Sequence, residues 1–409
     1  MMTIFIEERD IEEYPYEFVE RKGKGHPDTL ADALAEHLSA KYSQYTKEKF
    51  GAVLHHNFDK IGLLGGASEV GFGYGKLTQP IRVLLNGRAS VKFSNEKIPL
   101  KKLLIGWAKK FLKEALPLVD VERDLEFHYN QSYQSSPGKT QETNDKESAR
   151  RFWFEPRDLN DLPEIKKLFS NDTSMGVGFA PFSKLETFIL DVEHFLNSSE
   201  YKQGNPWIGS DIKIIGFRYK EKYKITICVP QIGSMVSSID EYRNNLKTVR
   251  EEILKIATRH GIKEIELDIN TRDSYEKGEL YLTAIGSSIE SGDEGLVGRG
   301  NRLQGIISPT RLMSMEGVAG KNPIYHIGKI YYFASQKISE SIYDKYGIPN
   351  EVVLISQSGR DLFDPWIVFV HAPRKFNYDA KELKRFVKKG IDKIPSYSND
   401  LIYEKVSIF

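Results

Sequence analysis

Three stretches of the chain concentrate residue types that handle phosphate and divalent cations. The first is Glu20-Arg21-Lys22-Gly23-Lys24-Gly25-His26-Pro27-Asp28. Glycine lets the backbone approach a ligand closely, Pro27 fixes the turn, and Asp28 falls at the start of the following helix, with Asp32 one turn further along the same face. A histidine beside carboxylates suits metal and phosphate chemistry. The competing reading is structural: Asp28 as a helix cap, with Asp32 and Glu36 continuing a solvated acidic face. The second stretch is Ser291-Gly292-Asp293-Glu294-Gly295-Leu296-Val297-Gly298-Arg299-Gly300-Asn301-Arg302. The third is Met313-Ser314-Met315-Glu316-Gly317-Val318-Ala319-Gly320-Lys321-Asn322-Pro323. Carboxylates, arginines and a lysine spaced by glycine, with Lys321 just before a helix N-terminus, suit a polyanion bridged by hard cations, and a triphosphate fits that description.

Other motifs are weaker. In His55-His56-Asn57 adjacent strand residues point to opposite faces, so at most one histidine reaches a given site. The nine histidines show neither a helix-spaced HExxH nor further ligand spacing, which argues against a His-ligated zinc. Gly71-Phe72-Gly73-Tyr74-Gly75 lacks the spacing and context of a dinucleotide fingerprint and reads as a turn. Pro137-Gly138-Lys139-Thr140 and Gly320-Lys321-Asn322 both lack the leading glycine of a P-loop, at Tyr133 and Met315.

These stretches require a scaffold, and the hydrophobic pattern predicts one that is α+β. Apolar stripes place helices over Thr29 to Tyr45 and around Leu103 to Leu112. Ser183-Lys184-Leu185-Glu186 and Ser238-Ile239-Asp240-Glu241 match capping boxes. Pro323 suits the first turn of a helix ending near Gly347, and Asp379 caps a sixth. Strand-like runs lie at Val53 to His56, Ile61 to Leu64, Ile81 to Leu85, Leu125 to Tyr129, Ile212 to Phe217, Tyr223 to Val229, Ile265 to Ile269, Tyr281 to Ile285, Val352 to Ile355 and Trp366 to Val370. A helix pair with three or four strands thus recurs about three times. We expect one unit over 1–409 with cores spanning roughly 15–130, 170–270 and 275–409, and the polar, aperiodic 131–164 as a loop or lid.

Composition bounds the function. With 409 residues and 40% hydrophobic content the chain builds substantial cores, and 58 basic against 57 acidic residues leave a net charge of +1. That balance supplies no global field for nucleic acid or an anionic membrane. The single cysteine, Cys228, is expected to be a buried thiol. The acidic N-terminus lacks a signal-peptide pattern, and no apolar run reaches the ~20 residues of a membrane span, so a cytoplasmic protein is expected.

Taken together, ERKGxGHPD at Glu20 to Asp28, HHN at His55 to Asn57, NDTS at Asn171 to Ser174, GDxGxVGRGNR at Gly292 to Arg302 and SMExxAGKNP at Met313 onward resemble the archaeal type of S-adenosylmethionine synthetase over most of the chain. The resemblance implies three interleaved α/β repeats, helix pairs on mostly antiparallel sheets, about a pseudo-threefold axis. It also implies a homodimer with intersubunit active sites, and the conversion of ATP, L-methionine and water to S-adenosylmethionine, pyrophosphate and phosphate. By motif position it implies that His26 hydrogen-bonds the oxygen leaving C5′ and that Asp28 binds Mg²⁺. Lys213, Arg299 and Lys321 then line the triphosphate, and Glu20, Asp172 and Asp293 are acidic site residues. Arg302, His56, Asn57 and Lys329 complete the substrate-binding set, with Arg302 standing in for a second basic residue where this chain has Gly300. Leu54 occupies the position of the potassium-binding glutamate of the family's bacterial and eukaryotic branch, which puts a K⁺ requirement in doubt. Tyr325 and Ile327 replace a lysine and a magnesium-binding aspartate, leaving His326 and Lys329 as replacements. Two alternatives stay open on the residues alone: another ATP-consuming phosphotransferase or triphosphatase, and a nonenzymatic nucleotide-binding subunit.

Overall fold

The computed structural model describes residues 2–8, 14–133, 152–373, 376 and 378–406. The chain begins with β1 (Thr3–Glu8), β2 (Tyr16–Lys22), α1 (Pro27–Phe50), β3 (Gly62–Leu64), β4 (Ile81–Ala89), α2 (Leu100–Ala115) and β5 (Leu125–Ser132). It continues with β6 (Ser174–Ala180), α3 (Lys184–Leu196), β7 (Lys213–Tyr219), β8 (Lys222–Cys228), α4 (Ile239–Arg259) and β9 (Glu264–Ile269). It ends with β10 (Gly295–Leu296), α5 (Ile327–Tyr346), β11 (Asn350–Ser356), β12 (Ile367–Ala372), α6 (Ala380–Ile391) and α7 (Ile394–Ile402).

These strands form three main sheets, in the orders β5-β4-β3-β10, β9-β8-β7-β2 and β1-β12-β11-β6. Each carries the same pairing: one parallel pair at one edge, then two antiparallel pairs. The parallel pairs β4–β5 and β8–β9 are joined through α2 and α4, as a crossover between parallel neighbours requires. In the third sheet β1, from the N-terminus, supplies the parallel edge. Three apolar cores follow, centred on Leu34 and Leu104 of α1 and α2, Ile189 and Ile253 of α3 and α4, and Ile338 and Val387 of α5 and α6.

The opposite edge strand of each sheet comes from elsewhere in the chain. β2 directly precedes α1 but pairs with β7 in the second sheet, β6 precedes α3 but pairs with β11 in the third, and β10 precedes α5 but pairs with β3 in the first. Each core is therefore completed by a strand borrowed from its neighbour.

The helix ends show local chemistry at work and correct three expectations. His26, not Asp28, is the N-cap of α1: its imidazole accepts the Asp28 N–H, Pro27 occupies the first turn, and Gly51 ends the helix at φ 80°. The capping box at Ser183 and Glu186 is complete. At α4 only half forms, because Ser238 accepts from Glu241 N while the Glu241 carboxylate reaches back to Ser237 N at 2.7 Å. The α5 helix starts at Ile327, four residues after Pro323, and ends at Gly347 in the left-handed region. Asp379 caps α6, and α7 follows as a seventh long helix that the sequence pattern does not predict. Gly71 to Gly75 forms the turn of the hairpin Ala67–Gly71/Tyr74–Gln79. Of the loop candidate 131–164, residues 134–151 lie outside the described residues; Pro163–Lys166 forms one helical turn. Cys228 is half-buried rather than fully buried, and burial pushes its thiol up.

Among the described residues no helix is long and apolar enough to cross a membrane.

Candidate functional site

The site is organised by one helix face. Asp28, Asp32 and Glu36 lie one turn apart on α1, and each grips a glycine-rich loop instead of facing solvent. Asp28 Oδ1 accepts from Leu296 N at 3.1 Å. Asp32, 2% exposed, accepts from Gly298 N at 2.7 Å and Gly300 N at 3.1 Å. Glu36 accepts from Gly320 N at 3.1 Å and from Lys329 Nζ at 2.6 and 2.7 Å. This corrects the reading of Asp32 and Glu36 as a solvated face: their oxygens satisfy backbone donors in the two loops. The loop at 292–302 passes so close to the helix that a Cβ at Gly295 would fall on the Pro27 carbonyl and one at Gly300 on the Asp32 carboxylate. Burial lifts the Asp32 carboxyl to about 7, against the two N–H bonds that favour its charge.

At the N-terminal end of this face His26 is held in one tautomer. Its Nδ1 accepts the Asp28 N–H at 3.2 Å, so in the neutral ring Nε2 carries the proton. Burial lowers the ring's pKa, with the charges of Asp211 and Asp28 opposing it. Asp211 is itself buried, accepting from Ser288 N at 2.9 Å and Ser288 Oγ at 2.6 Å; that hydroxyl also lies 2.9 Å from Asp293 Oδ2. Lys22 ties the loop together, its Nζ reaching Asp28 Oδ2 at 2.9 Å and the Arg299 carbonyl at 2.7 Å. Asn301 pairs with both backbone groups of Lys22 at 2.9 and 2.7 Å. Around this end stand Lys213, 3.4 Å from Glu20, and Arg299, whose exposed guanidinium has no partner among the described residues. Arg302 does different work: it donates to the carbonyls of Gly298 at 2.7 Å and Gly300 at 2.9 Å, stapling the loop.

At the other end Lys321 is 3% exposed and ion-paired to Glu316, and burial pulls its ammonium down to about 8. Asp172 lies near enough to act on that charge. Asn57 bridges Lys321 through its backbone, while its side chain accepts from Asp59 N at 3.2 Å. Lys329 is enclosed with Glu36 as a buried ion pair. His326 sits at the N-cap position of α5, buried, with Nδ1 unpartnered among the described residues. Burial and the cations Lys321, Lys329, Arg88 and Lys60 hold this ring neutral.

The structure therefore gathers Glu20, His26, Asp28, Lys213, Asp293, Arg299 and Arg302 at one end and Lys321, Lys329 and Asn57 at the other, with Asp172 beside them. His56 lies behind the Lys321 segment rather than on the open face: it is packed between Tyr42 and Phe58, bonded to the Leu54 carbonyl at 2.9 Å and to Ser39 Oγ at 2.8 Å, a hydroxyl that also reaches the Lys321 carbonyl at 3.0 Å, and burial lowers its pKa to about 3. Leu54 is wholly buried in the first core. Asp32, Glu36, Lys22, Asp211 and Glu316 join the site as residues to which the sequence assigns no role; the four-residue spacing of acids on α1 signals the first two, and Lys22 and Glu316 lie inside the glycine-punctuated stretches.

No group of three or more His, Cys, Asp or Glu side chains converges as a metal cage among the described residues. The donors instead suit a hard cation that arrives with phosphate oxygens and water and needs one or two carboxylates, of which Asp28 is placed beside the free guanidinium loop.

Known proteins resemble this chain over most of its length. The family profile described as S-adenosylmethionine synthetase (AdoMet synthetase) matches residues 3–405. The S-adenosylmethionine synthase of Hyperthermus butylicus is 37% identical over 417 residues, covering 98% of this chain and 97% of that protein. The S-adenosylmethionine synthase of Methanocaldococcus jannaschii is 37% identical over 427 residues, covering 100% of both. Among solved structures, an unusual S-adenosylmethionine synthetase from Campylobacter jejuni shares the fold at a TM-score of 0.57 and 15% identity, over 94% of this chain and 88% of that one.

Proposed function

The chain belongs to the S-adenosylmethionine synthetase family, a family of methionine adenosyltransferases, and from that premise we propose how its residues make S-adenosylmethionine from ATP and methionine. The methionine sulfur attacks the ribose C5′ in line, the C5′–O bond breaks, and the tripolyphosphate leaves with the bonding pair; water then cleaves it to pyrophosphate and phosphate. A neutral thioether is a weak nucleophile, so the site must hold the partners near contact distance and absorb the charge that moves onto the leaving oxygen.

The observation that carries this reading is the neutral His26, its Nδ1 committed to the Asp28 N–H and its Nε2 left as donor. A neutral donor stabilises the departing oxygen without a cation beside the nascent sulfonium. Arg299 and Lys213 at one end of the α1 face and Lys321 at the other bracket the polyphosphate. Its arrival frees Lys321 from Glu316, and the orphaned His326 Nδ1 and uncapped α5 N-terminus add neutral donor capacity beside it. Asp28 would hold Mg²⁺ in exchange for its contact with Lys22 Nζ, and the cation would supply positive charge to the phosphate oxygens. Glu20, Asp172 and Asp293 orient the methionine ammonium or the ribose, and the buried Asp211 positions His26.

We also propose that the three sheet-and-helix units are repeats about a pseudo-threefold axis, which their shared pairing order supports, and that two chains form a homodimer. The experiment is direct: pure protein with ATP, Mg²⁺ and L-methionine, products resolved by mass. A new sulfonium with phosphate and pyrophosphate is expected; phosphate release without sulfonium would favour a triphosphatase and overturn the reading.

A further inference from the structure

One cation at the Lys321 end is left over once the charges there are paired. The acids are engaged: Asp59 by Lys60 at 2.8 Å, Glu36 by Lys329 at 2.6 Å, Glu164 by His55 at 3.1 Å, and Glu316 by Lys321. Asp172, whose charge also reaches Lys321, accepts the Thr173 N–H at 2.7 Å. The remaining cation is Arg88 of β4, half-buried, whose guanidinium has no hydrogen-bond or ion-pair partner among the described residues. Withdrawing a guanidinium from water without a partner costs free energy, and an anion arriving from solvent would recover it.

The register of the first sheet fixes where that charge stands. The two-residue strand His56–Asn57 runs antiparallel to the end of β4, with His56 opposite Ala89 and Asn57 opposite Arg88. Ala89 and the His56 ring are buried in the first core, so strand alternation puts Arg88 and Asn57 on the other face. On its far side Asn57 bridges Lys321. Lys321, Asn57 and Arg88 therefore form one row across three neighbouring segments, with about 5 Å between opposite Cα atoms at each step. A Cβ at Gly87 would lie 2.6 Å from the Asn57 carbonyl, so glycine lets β4 run this close. In the middle of the row the Asn57 oxygen accepts the Asp59 N–H, which leaves the amide nitrogen as a donor with no partner among the described residues. The charge of Arg88 also reaches the rings of Tyr325 and His326, just past Lys321 in the chain.

We propose, resting on the functional reading above, that Arg88 is the residue that reads the third phosphate of ATP. With Lys321 and the Asn57 amide it closes on the terminal phosphoryl group, its planar fork meeting two of that group's oxygens at once. A nucleoside diphosphate whose ribose is held at His26 ends one phosphate short of this contact. Arg88 thus separates ATP, whose whole tripolyphosphate must depart from C5′, from ADP by a contact that only the longer tail makes.

The test compares two ligands that differ by that phosphate. The full chain, with Mg²⁺, is titrated calorimetrically with a nonhydrolysable ATP analogue and with ADP, as wild type, Arg88→Met and Arg88→Lys. Arg88→Met should weaken the analogue about ten- to hundredfold, as for loss of a charge-assisted bidentate contact, and ADP by less than about threefold. Arg88→Lys keeps the charge without the fork and should fall between. Retained ADP binding shows that a variant is folded; if Arg88→Met does not fold, Arg88→Lys decides alone. Equal losses for the analogue and ADP in a folded variant, or an unchanged affinity for the analogue, would overturn the assignment. A wild type that makes no sulfonium from ATP and methionine fails the functional reading instead, and the contrast between the analogue and ADP still decides Arg88.

Discussion

At the residue scale, the chemistry rests on side chains whose charge state is set by burial. His26→Ala removes the donor to the leaving oxygen. Sulfonium formation should slow by about 10²- to 10³-fold, the usual cost of losing one such donor, while hydrolysis of added tripolyphosphate suffers less. Parallel assays by mass and by phosphate release check this, and equal losses would make His26 structural. Lys321, pulled down to about 8, is partly neutral in the free protein at that pH and is driven to the ammonium by a polyanion. Tripolyphosphate binding near pH 8 should therefore take up protons and weaken as pH rises further, seen as buffer-dependent heats in calorimetry; Lys321→Met should abolish the uptake. Such residues were legible in the sequence because glycine punctuation and phosphate-suited side chains coincide. His56 differs for a physical reason: its neighbour Asn57 bridges Lys321, yet its own ring packs into the core between Tyr42 and Phe58.

At the element scale, α1 is the frame on which both loops hang. Glu36→Gln leaves the Lys329 ammonium buried without a counter-charge, which should cost about 3–5 kcal/mol. Adding Lys329→Met should recover much of that loss in denaturant unfolding. Asp32 gives a pH signature with a definite sign. Its folded pKa of about 7 lies above the ordinary 3.8, so between those values the folded state holds a proton that the unfolded state has lost. Its contribution should make stability fall as pH rises from about 4 to about 7 and then level off, and Asp32→Asn should flatten that slope in unfolding measured across the range. The period-four acids were visible on the page, but nothing local distinguishes a solvated acidic stripe from one buried under a loop that arrives 266 residues later.

At the scale of the whole molecule, the elements hidden from sequence share one property. Of the main-sheet strands, β1, β2, β6 and β10 were unforeseen, and these are the strands that pair with partners far away in the chain. β2 is rich in charge and β6 carries Gly176 and Gly178 because the α5 backbone crosses it there, so neither shows a strand's apolar alternation. Hairpin-paired strands such as β7 and β8 were legible because their turn is local. β1 seals the open edge of β12, covering the third core. Deleting residues 1–8 should therefore lower the melting temperature by several degrees and promote aggregation, measured by scanning calorimetry and light scattering.

The exchange of edge strands among three sheets brings segments from positions 20–28, 292–302 and 313–329 to one helix face, and the account's central claim is that they grip one polyphosphate there. A crystal structure with Mg²⁺, a nonhydrolysable ATP analogue and methionine tests it most directly. The tail should run from Arg299 toward Lys321, with the C5′ oxygen within hydrogen-bond reach of His26 Nε2 and Glu316 released from Lys321. A tail bound away from both the position-26 imidazole and the Arg299 guanidinium would contradict the account.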